Sequence, residues 1–449
     1  MRQLSMDDPA DLLCAAYDTI PRTAFRASIE HWEGDPSLDA VSARVEAAAL
    51  AGGNADAARL VATGDDAARY AVVRGLDRAL THVNPLTSGV PPPALAALAL
   101  RHARDGRLDT GAAGGALLPR VASGGRRGQL AEDLAGALGA VVRVPPADWA
   151  ACDHAVLPPW ARLTRADREH GLRIAATPMI ADPDELAWEV DVRRGLRFYR
   201  IGPADRPTTR RRVEQVVRAL DAARAAVAVA PELSLSPALL ADWQRVLAGR
   251  PGAEESALRL VLVGTGNVDG ARPPSNSAVL LDAQTGELLA AQRKIHPFNM
   301  SEADVELWGL ADRLPGPADE DLSPGERVTV VEAGGVRLAV LVCEDLARLP
   351  ALAGPLCAHG VSLLLVPVFA RPTKDRRWER ARAESYSDAT GAAIVVANSL
   401  VIASILGVTP AGTAIAVGAG TAAVGSAPAP EAAVVFSVEG GIATVDAET

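Results

Sequence analysis

Lysine is almost missing from this chain. Only Lys294 and Lys374 occur among 449 residues and 45 basic side chains, so arginine carries nearly every positive charge. A position that keeps lysine asks for something a guanidinium cannot supply, a compact ammonium able to share or shift its proton. Cysteine is scarce as well. The four thiols, Cys14, Cys152, Cys343 and Cys357, are irregularly spaced and trace no disulfide framework, which points to a reducing, cytoplasmic setting. Positive charge is not in excess. A formal net charge of -10 argues against nucleic acid as the main partner. The first residues, Met-Arg-Gln-Leu-Ser-Met-Asp-Asp, have no apolar run behind their arginine, so no secretory signal is read there. From Gly391 to Pro430 charge is absent altogether. Asn398, Pro410 and many glycines interrupt that stretch, so buried strands and loops are expected and no membrane association.

What is present divides into two textures. Half of the chain is apolar and 22% is charged, enough for a large core, and 449 residues suit two domains. Residues 1–168 read as a mostly α-helical N-terminal domain. Ala10–Tyr17, Leu38–Ala51, Ala55–Leu60, Asp66–His82 and Pro93–Arg104 space their apolar residues three to four apart. The glycines at 111–115 and 124–128 lack the Gly-Lys-Ser/Thr ending of a phosphate loop and read as linker. Residues 169–449 alternate strands with helices, which predicts an α/β domain with helices packed on sheets. The strands are expected at Leu172–Ile180, Ala225–Ala230, Leu258–Gly264, Val328–Glu332, Val336–Val342, Val361–Val366 and Ala392–Ala397, with helices at Thr208–Arg224, Pro237–Ala248, Pro350–His359 and Arg376–Gly391. Ser277–Leu281 and Glu287–Ile295 flank a hairpin turn, and His296–Glu326 reads as one long, functional loop.

Three of these elements end alike: an apolar strand gives out onto a charged or nucleophilic side chain. The first ends in Glu232, alone among Ala, Val, Leu and Pro, where desolvation would raise its pKa towards that of a useful base. The second ends in Lys294. The third, Val336–Leu346, ends in Cys343, Glu344 and Asp345. A carboxylate can take the thiol proton, the thiolate can attack, and the ammonium can stabilise both the thiolate and a developing oxyanion. The backbone N–H of Glu344 is the candidate second oxyanion donor. A metal cluster of Cys343, Cys357 and His359 matches no standard spacing and lacks a fourth ligand. No metal or cofactor is expected. Phe369 and Trp378 read as core or site wall, and Lys374 as a solvated charge.

Pro231-Glu232, Arg293-Lys294-Ile295-His296 and Cys343-Glu344-Asp345, in that order in an α/β frame, resemble the nitrilase superfamily of carbon–nitrogen hydrolases. Trp378–Glu384, with its Arg-Ala-Arg-Ala, followed by the Val-rich Ala392–Asn398, is a fourth point of similarity. The resemblance covers roughly residues 171–440; nothing before it is recognised. It implies a nitrilase-like four-layer α-β-β-α sandwich and a Glu-Lys-Cys triad of Glu232, Lys294 and Cys343. It further implies a second glutamate near the lysine, with Glu302 the best match and Glu306 the fallback, and an Asp345–Arg382 pair that positions the nucleophile loop. Departures from the pattern are Pro297 after the histidine and the length of Met300–Pro324.

The resulting expectation is a cytoplasmic hydrolase of a non-peptide carbon–nitrogen bond, an amidase rather than a nitrilase, working through a thioester on Cys343. Its partner would be a small amide or nitrile, and the resemblance implies a homo-oligomer. The alternative is a catalytically inactive scaffold on the same fold, with the helical N-terminal domain as a protein-binding module.

Overall fold

The computed structural model describes residues 7–84, 89–121, 134–168, 171–268, 274–348, 351–371, 378–409, 412–439 and 442–445. Lys374, and the glycines from 124 to 128, lie outside them. The described residues form two compact units. One runs from the start of the chain to Val156 and includes Pro355–Gly360; the other covers Leu157–Gly354 and continues from Val361. The division thus falls before residue 168, because Leu157 and Leu163 already donate backbone hydrogen bonds to Glu332 and Ala333 of the second unit.

The first unit is built on helices Pro9–Thr19, Arg22–Glu33, Pro36–Leu50, Ala55–Thr63, Asp66–Leu80 and Ala96–Asp105. Their starts follow local chemistry. Asp8, Asp35 and Asp65 each cap a helix by accepting from exposed backbone N–H groups, and Pro9 and Pro36 occupy first-turn positions where no N–H is needed. Leu12, Leu13, Leu76 and Leu80 bury the shared face, and Trp32 stacks on Tyr70 at 5.4 Å. This unit is not purely helical: Ala116–Pro119 pairs antiparallel with Val141–Val144. The first of those strands follows glycines read as linker, and its four residues are too few to show an alternation.

The second unit carries two large sheets and a small one. In the first sheet the order is Leu288–Arg293, Ser277–Asp282, Leu260–Gly266, Val227–Val229, Leu172–Ala176, Val434–Glu439, Ile442–Val445. Its centre, Leu172–Ala176, Val227–Val229 and Leu260–Gly266, is parallel and its margins are antiparallel. The second sheet orders Thr421–Gly425, Ala414–Gly418, Ala393–Asn398, Leu363–Val368, Arg337–Val340 and Val328–Glu332, again with a parallel centre. Val, Leu, Ile and Ala dominate the inner strands Val227–Val229, Leu260–Gly266, Leu363–Val368 and Ala393–Asn398, which are buried along their whole length, so the usual alternation is lost there.

Helices Pro207–Ala222 and Pro237–Ala248 press Val213, Val217, Leu220, Leu239 and Trp243 onto one face of the first sheet, against Ala175, Ala228, Val261 and Val279. Helix Trp378–Thr390 contacts Ala393–Asn398 and Ala414–Gly418 of the second sheet. The uncharged stretch contributes Ala393–Asn398, the six-residue helix Val401–Leu406, Ala414–Gly418 and Thr421–Gly425. Among the described residues no helix is long and apolar enough to cross a membrane.

The expected loop His296–Glu326 is largely structured. It holds Asn299–Met300, helix Glu302–Leu307 and strand Ala318–Glu320. These join the hairpin Leu186–Arg193/Leu196–Pro203 in a four-stranded sheet, with Ala318–Glu320 running parallel to Leu196–Pro203. The strands are two or three residues long, and their partner lies more than a hundred positions upstream. No local spacing reports such pairing.

Candidate active site

Glu232 leaves the first sheet just past Val227–Val229, on a turn pressed flat against the neighbouring strand. Thr265 holds that turn twice, accepting from Leu233 N–H on its hydroxyl (3.0 Å) and from Leu235 N–H on its carbonyl (2.9 Å). Two glycines make room. A Cβ at Gly264 would stand 1.9 Å from Ser234 Oγ, and one at Gly266 1.7 Å from the Leu235 carbonyl oxygen. Leu233 adopts φ 60°, a left-handed conformation that the Thr265 bond helps to hold.

Lys294 follows strand Leu288–Arg293. Its N–H donates to the Asn276 carbonyl and its own carbonyl accepts from Gly325 N–H, both at 2.8 Å, so the backbone is clamped on either side. The side chain is 2% exposed. Its Nζ donates to Glu232 Oε1 at 2.9 Å and to Glu320 Oε2 at 2.7 Å. An ammonium has three N–H groups, so one is left for an incoming oxygen. Asn276 Nδ2 ties the same two carboxylates together, at 2.9 Å to Glu232 and 3.3 Å to Glu320. Phe298 N–H adds a 2.9 Å bond to Glu320.

Cys343 leaves the second sheet beyond Arg337–Val340 and caps the short helix Glu344–Ala347. Its φ of 47° and ψ of -101° are costly for a residue with a Cβ, about 1–3 kcal/mol. Cys343 N–H to the Pro367 carbonyl (3.0 Å) and Leu346 N–H to the Cys343 carbonyl (3.0 Å) hold it there. The Glu232 carboxylate and the Phe369 backbone amide both act electrostatically on the thiol, in opposite senses. Among the described residues the Glu344 N–H has no acceptor, as expected of the first N–H in a helix.

Burial dominates the electrostatics. It pushes the Cys343 thiol well above its ordinary range; Glu232 pushes it further, while Lys294 and the Phe369 amide pull back. Burial also raises Glu232, with Lys294 opposing and Glu320 assisting. For Lys294 burial works against the charge, yet Glu232 and Glu320 outweigh it and hold the ammonium well above the usual lysine value. Cys343, Glu232 and Lys294 thus each hold a proton more tightly than the free side chain does.

Two expected supporting contacts are made by other residues. Glu302 and Glu306 are exposed on helix Glu302–Leu307, and the carboxylate at Lys294 is Glu320. The capping box between Ser301 and Asp304 fixes that helix start, leaving Glu302 on its solvent side. Arg382 is exposed and makes none of the hydrogen bonds to Asp345. Asp345 instead accepts from His296 N–H and Nδ1 (both 2.9 Å) and from Ile295 and Val342 N–H (3.2 Å). Among the described residues no cluster of three His, Cys, Asp or Glu could hold a metal ion.

No family model matches the chain, and no curated protein does. Solved structures do resemble it. An amidase from Nesterenkonia sp. aligns over 56% of this chain and 85% of its own, at 18% identity and a TM-score of 0.38. A carbon–nitrogen hydrolase from Helicobacter pylori G27 aligns over 56% and 82%, at 14% identity and 0.35. A glutamine-dependent NAD+ synthetase from Acinetobacter baumannii aligns over 62% of this chain and 48% of its own, at 16% identity and 0.40. Another solved structure that resembles this chain, over 56% of its length at 19% identity and a TM-score of 0.35, is a mutant of the Nesterenkonia AN1 amidase from the nitrilase superfamily.

Proposed function

We propose that this chain hydrolyses a non-peptide carbon–nitrogen bond, in an amide rather than a nitrile, with Glu232, Lys294 and Cys343 as catalytic residues and Glu320 as a fourth. The single observation that carries the reading is the buried Lys294 ammonium. It is gripped by Glu232 and Glu320, and the Glu232 charge in turn acts on the Cys343 thiol. Such a buried ion pair is expensive to assemble, and here it sits where three strand ends converge.

The chemistry follows from that arrangement. Glu232 takes the thiol proton as Sγ bonds to the amide carbon, and the carbonyl π pair moves onto oxygen. The third Lys294 N–H and the Glu344 N–H stabilise this oxyanion. An amide oxygen suits two such donors better than a nitrile nitrogen. The intermediate collapses, the C–N bond breaks, and nitrogen leaves with the proton from Glu232 as ammonia or amine. Water then gives a proton to Glu232 and attacks the thioester; the C–S bond breaks and the thiol regains its proton. The net change is amide plus water to carboxylic acid plus amine.

This reading includes the four-layer α-β-β-α arrangement for the second unit and an accessory role for the first. The test is a panel of amides, nitriles, ureas and carbamates assayed with the wild type and Cys343→Ala. Intact-mass detection of an acyl adduct that is absent from Cys343→Ala supports it. Hydrolysis that survives Cys343→Ala unchanged overturns it. A thiol as inert to iodoacetamide in the wild type as in Glu232→Gln favours the inactive scaffold instead.

A further inference from the structure

The chain spends few aromatics, only five phenylalanines and seven tryptophans in 449 residues. Two of each form one unbroken string of rings beside the thiol. Phe298 stacks on Trp308 at 5.9 Å between centroids, Trp308 meets Phe369 at 6.2 Å, and Phe369 meets Trp188 at 6.3 Å. Both phenylalanines are tied to the reacting groups through the backbone: Phe369 lies two residues past Pro367, whose carbonyl accepts from Cys343 N–H at 3.0 Å, and Phe298 N–H bonds Glu320 at 2.9 Å. Tyr199 donates its hydroxyl to the Phe298 carbonyl at 3.3 Å and steadies that end of the string.

The two tryptophans come from the additions that build the small sheet. Trp188 lies on the hairpin strand Leu186–Arg193, and Trp308 closes helix Glu302–Leu307. Trp188 and Phe298 are only partly buried. The Trp188 indole N–H is shielded from solvent yet has no acceptor among the described residues. Flat apolar rings with few polar groups are what a site for a flat apolar group presents.

We propose that Trp188, Phe298, Trp308 and Phe369 are the specificity wall for the acyl half of the substrate, selecting amides of arylacetic and similar bulky aromatic acids over short-chain amides. This rests on the hydrolase reading above, and it goes further by naming the substrate class. The rings stand beside the thiol that receives the acyl group, so the half of the substrate retained in the thioester is the half they select. An unpaired Trp188 N–H gives a ring substituent bearing an acceptor, such as a hydroxyl, something to bond.

The experiment compares kcat/KM for phenylacetamide, 4-hydroxyphenylacetamide and acetamide in the wild type, Trp188→Leu, Trp308→Leu and Trp308→Phe. Filling or emptying an apolar wall changes selectivity by about 10–200-fold per group. The expected wild-type preference for phenylacetamide over acetamide exceeds about tenfold. Each Leu variant should lower that ratio about tenfold, and Trp308→Phe should restore most of it. A wild type that prefers acetamide, or a ratio unmoved in both Leu variants, overturns the proposal while leaving the hydrolase reading intact. Binding is read separately, by tryptophan fluorescence in Cys343→Ala. Phenylacetamide that binds, and loses binding in Cys343→Ala/Trp188→Leu, supports the wall even where no amide is turned over, an outcome in which only the hydrolase reading fails. No response to any aromatic amide overturns the wall.

Discussion

Replacing Glu320 by Gln tests the least expected member of the site. Its Oε2 accepts from Lys294 Nζ (2.7 Å) and Phe298 N–H (2.9 Å), and its Oε1 accepts from Asn276 Nδ2 (3.3 Å). Glutamine can keep its carbonyl towards Lys294 and Phe298. Its amide nitrogen then confronts Asn276 Nδ2, donor against donor. Turning the Asn276 amide over would relieve this but break its 2.9 Å bond to Glu232. Losing the charge on one hydrogen bond costs about 1 kcal/mol and a frustrated buried donor about 1–3 kcal/mol. Taking about 2 kcal/mol as the share felt at the transition state, kcat/KM falls roughly thirtyfold. The pH profile should move as well. Glu320 is one reason why Glu232 holds its proton more tightly than an ordinary carboxylate, so the acid limb of kcat/KM shifts to lower pH in Glu320→Gln. The assay is kcat/KM against pH for wild type, Glu320→Gln and Glu302→Gln. A Glu320→Gln profile that superimposes on wild type, with the loss appearing in Glu302→Gln, would refute the reasoning.

Other expectations are simpler to state. Gly264→Ala forces a Cβ to within 1.9 Å of Ser234 Oγ at a φ of +96°, so it should displace Glu232 and abolish turnover, with circular dichroism reporting whether the fold survives. Thr265→Val strands the Leu233 N–H and should cost about 1–3 kcal/mol in a urea titration, with loss of activity. Lys294 carries a folded-state pKa raised above its ordinary 10.5. Its stabilising contribution is therefore fully present below pH 10.5 and is lost as pH rises through the folded value; the stability gap between wild type and Lys294→Met should be constant up to that pH and shrink only beyond it.

The sequence was most informative where chemistry is concentrated in one or two residues at the end of an apolar run. Glu232, Lys294 and Cys343 each stand out from their neighbours, and the rarity of lysine made Lys294 visible without any knowledge of its surroundings. Long elements such as Pro207–Ala222 announced themselves by period. Glu320 did not. It lies in Asp319-Glu320-Asp321, an acidic run indistinguishable from a solvated loop, and it reaches Lys294 only because Ala318–Glu320 pairs with a strand whose Tyr199 is its partner in register. Arg382 was paired with Asp345 because the resemblance implies such a pair; three backbone N–H groups and His296 bond the carboxylate instead. Contacts of that kind are invisible in a string of side-chain types.

Asp345 also has a mechanical meaning. Glu232 and Lys294 follow strands of one sheet and Cys343 a strand of the other, so any movement of one sheet against the other would draw Cys343 away from Glu232. Asp345 acts as a rivet against such movement, gripping the main chain just after Lys294 and just before Cys343 with one side chain. In hydrogen exchange, the amides of Ile295, His296 and Val342 should open as one unit, although they follow strands of different sheets.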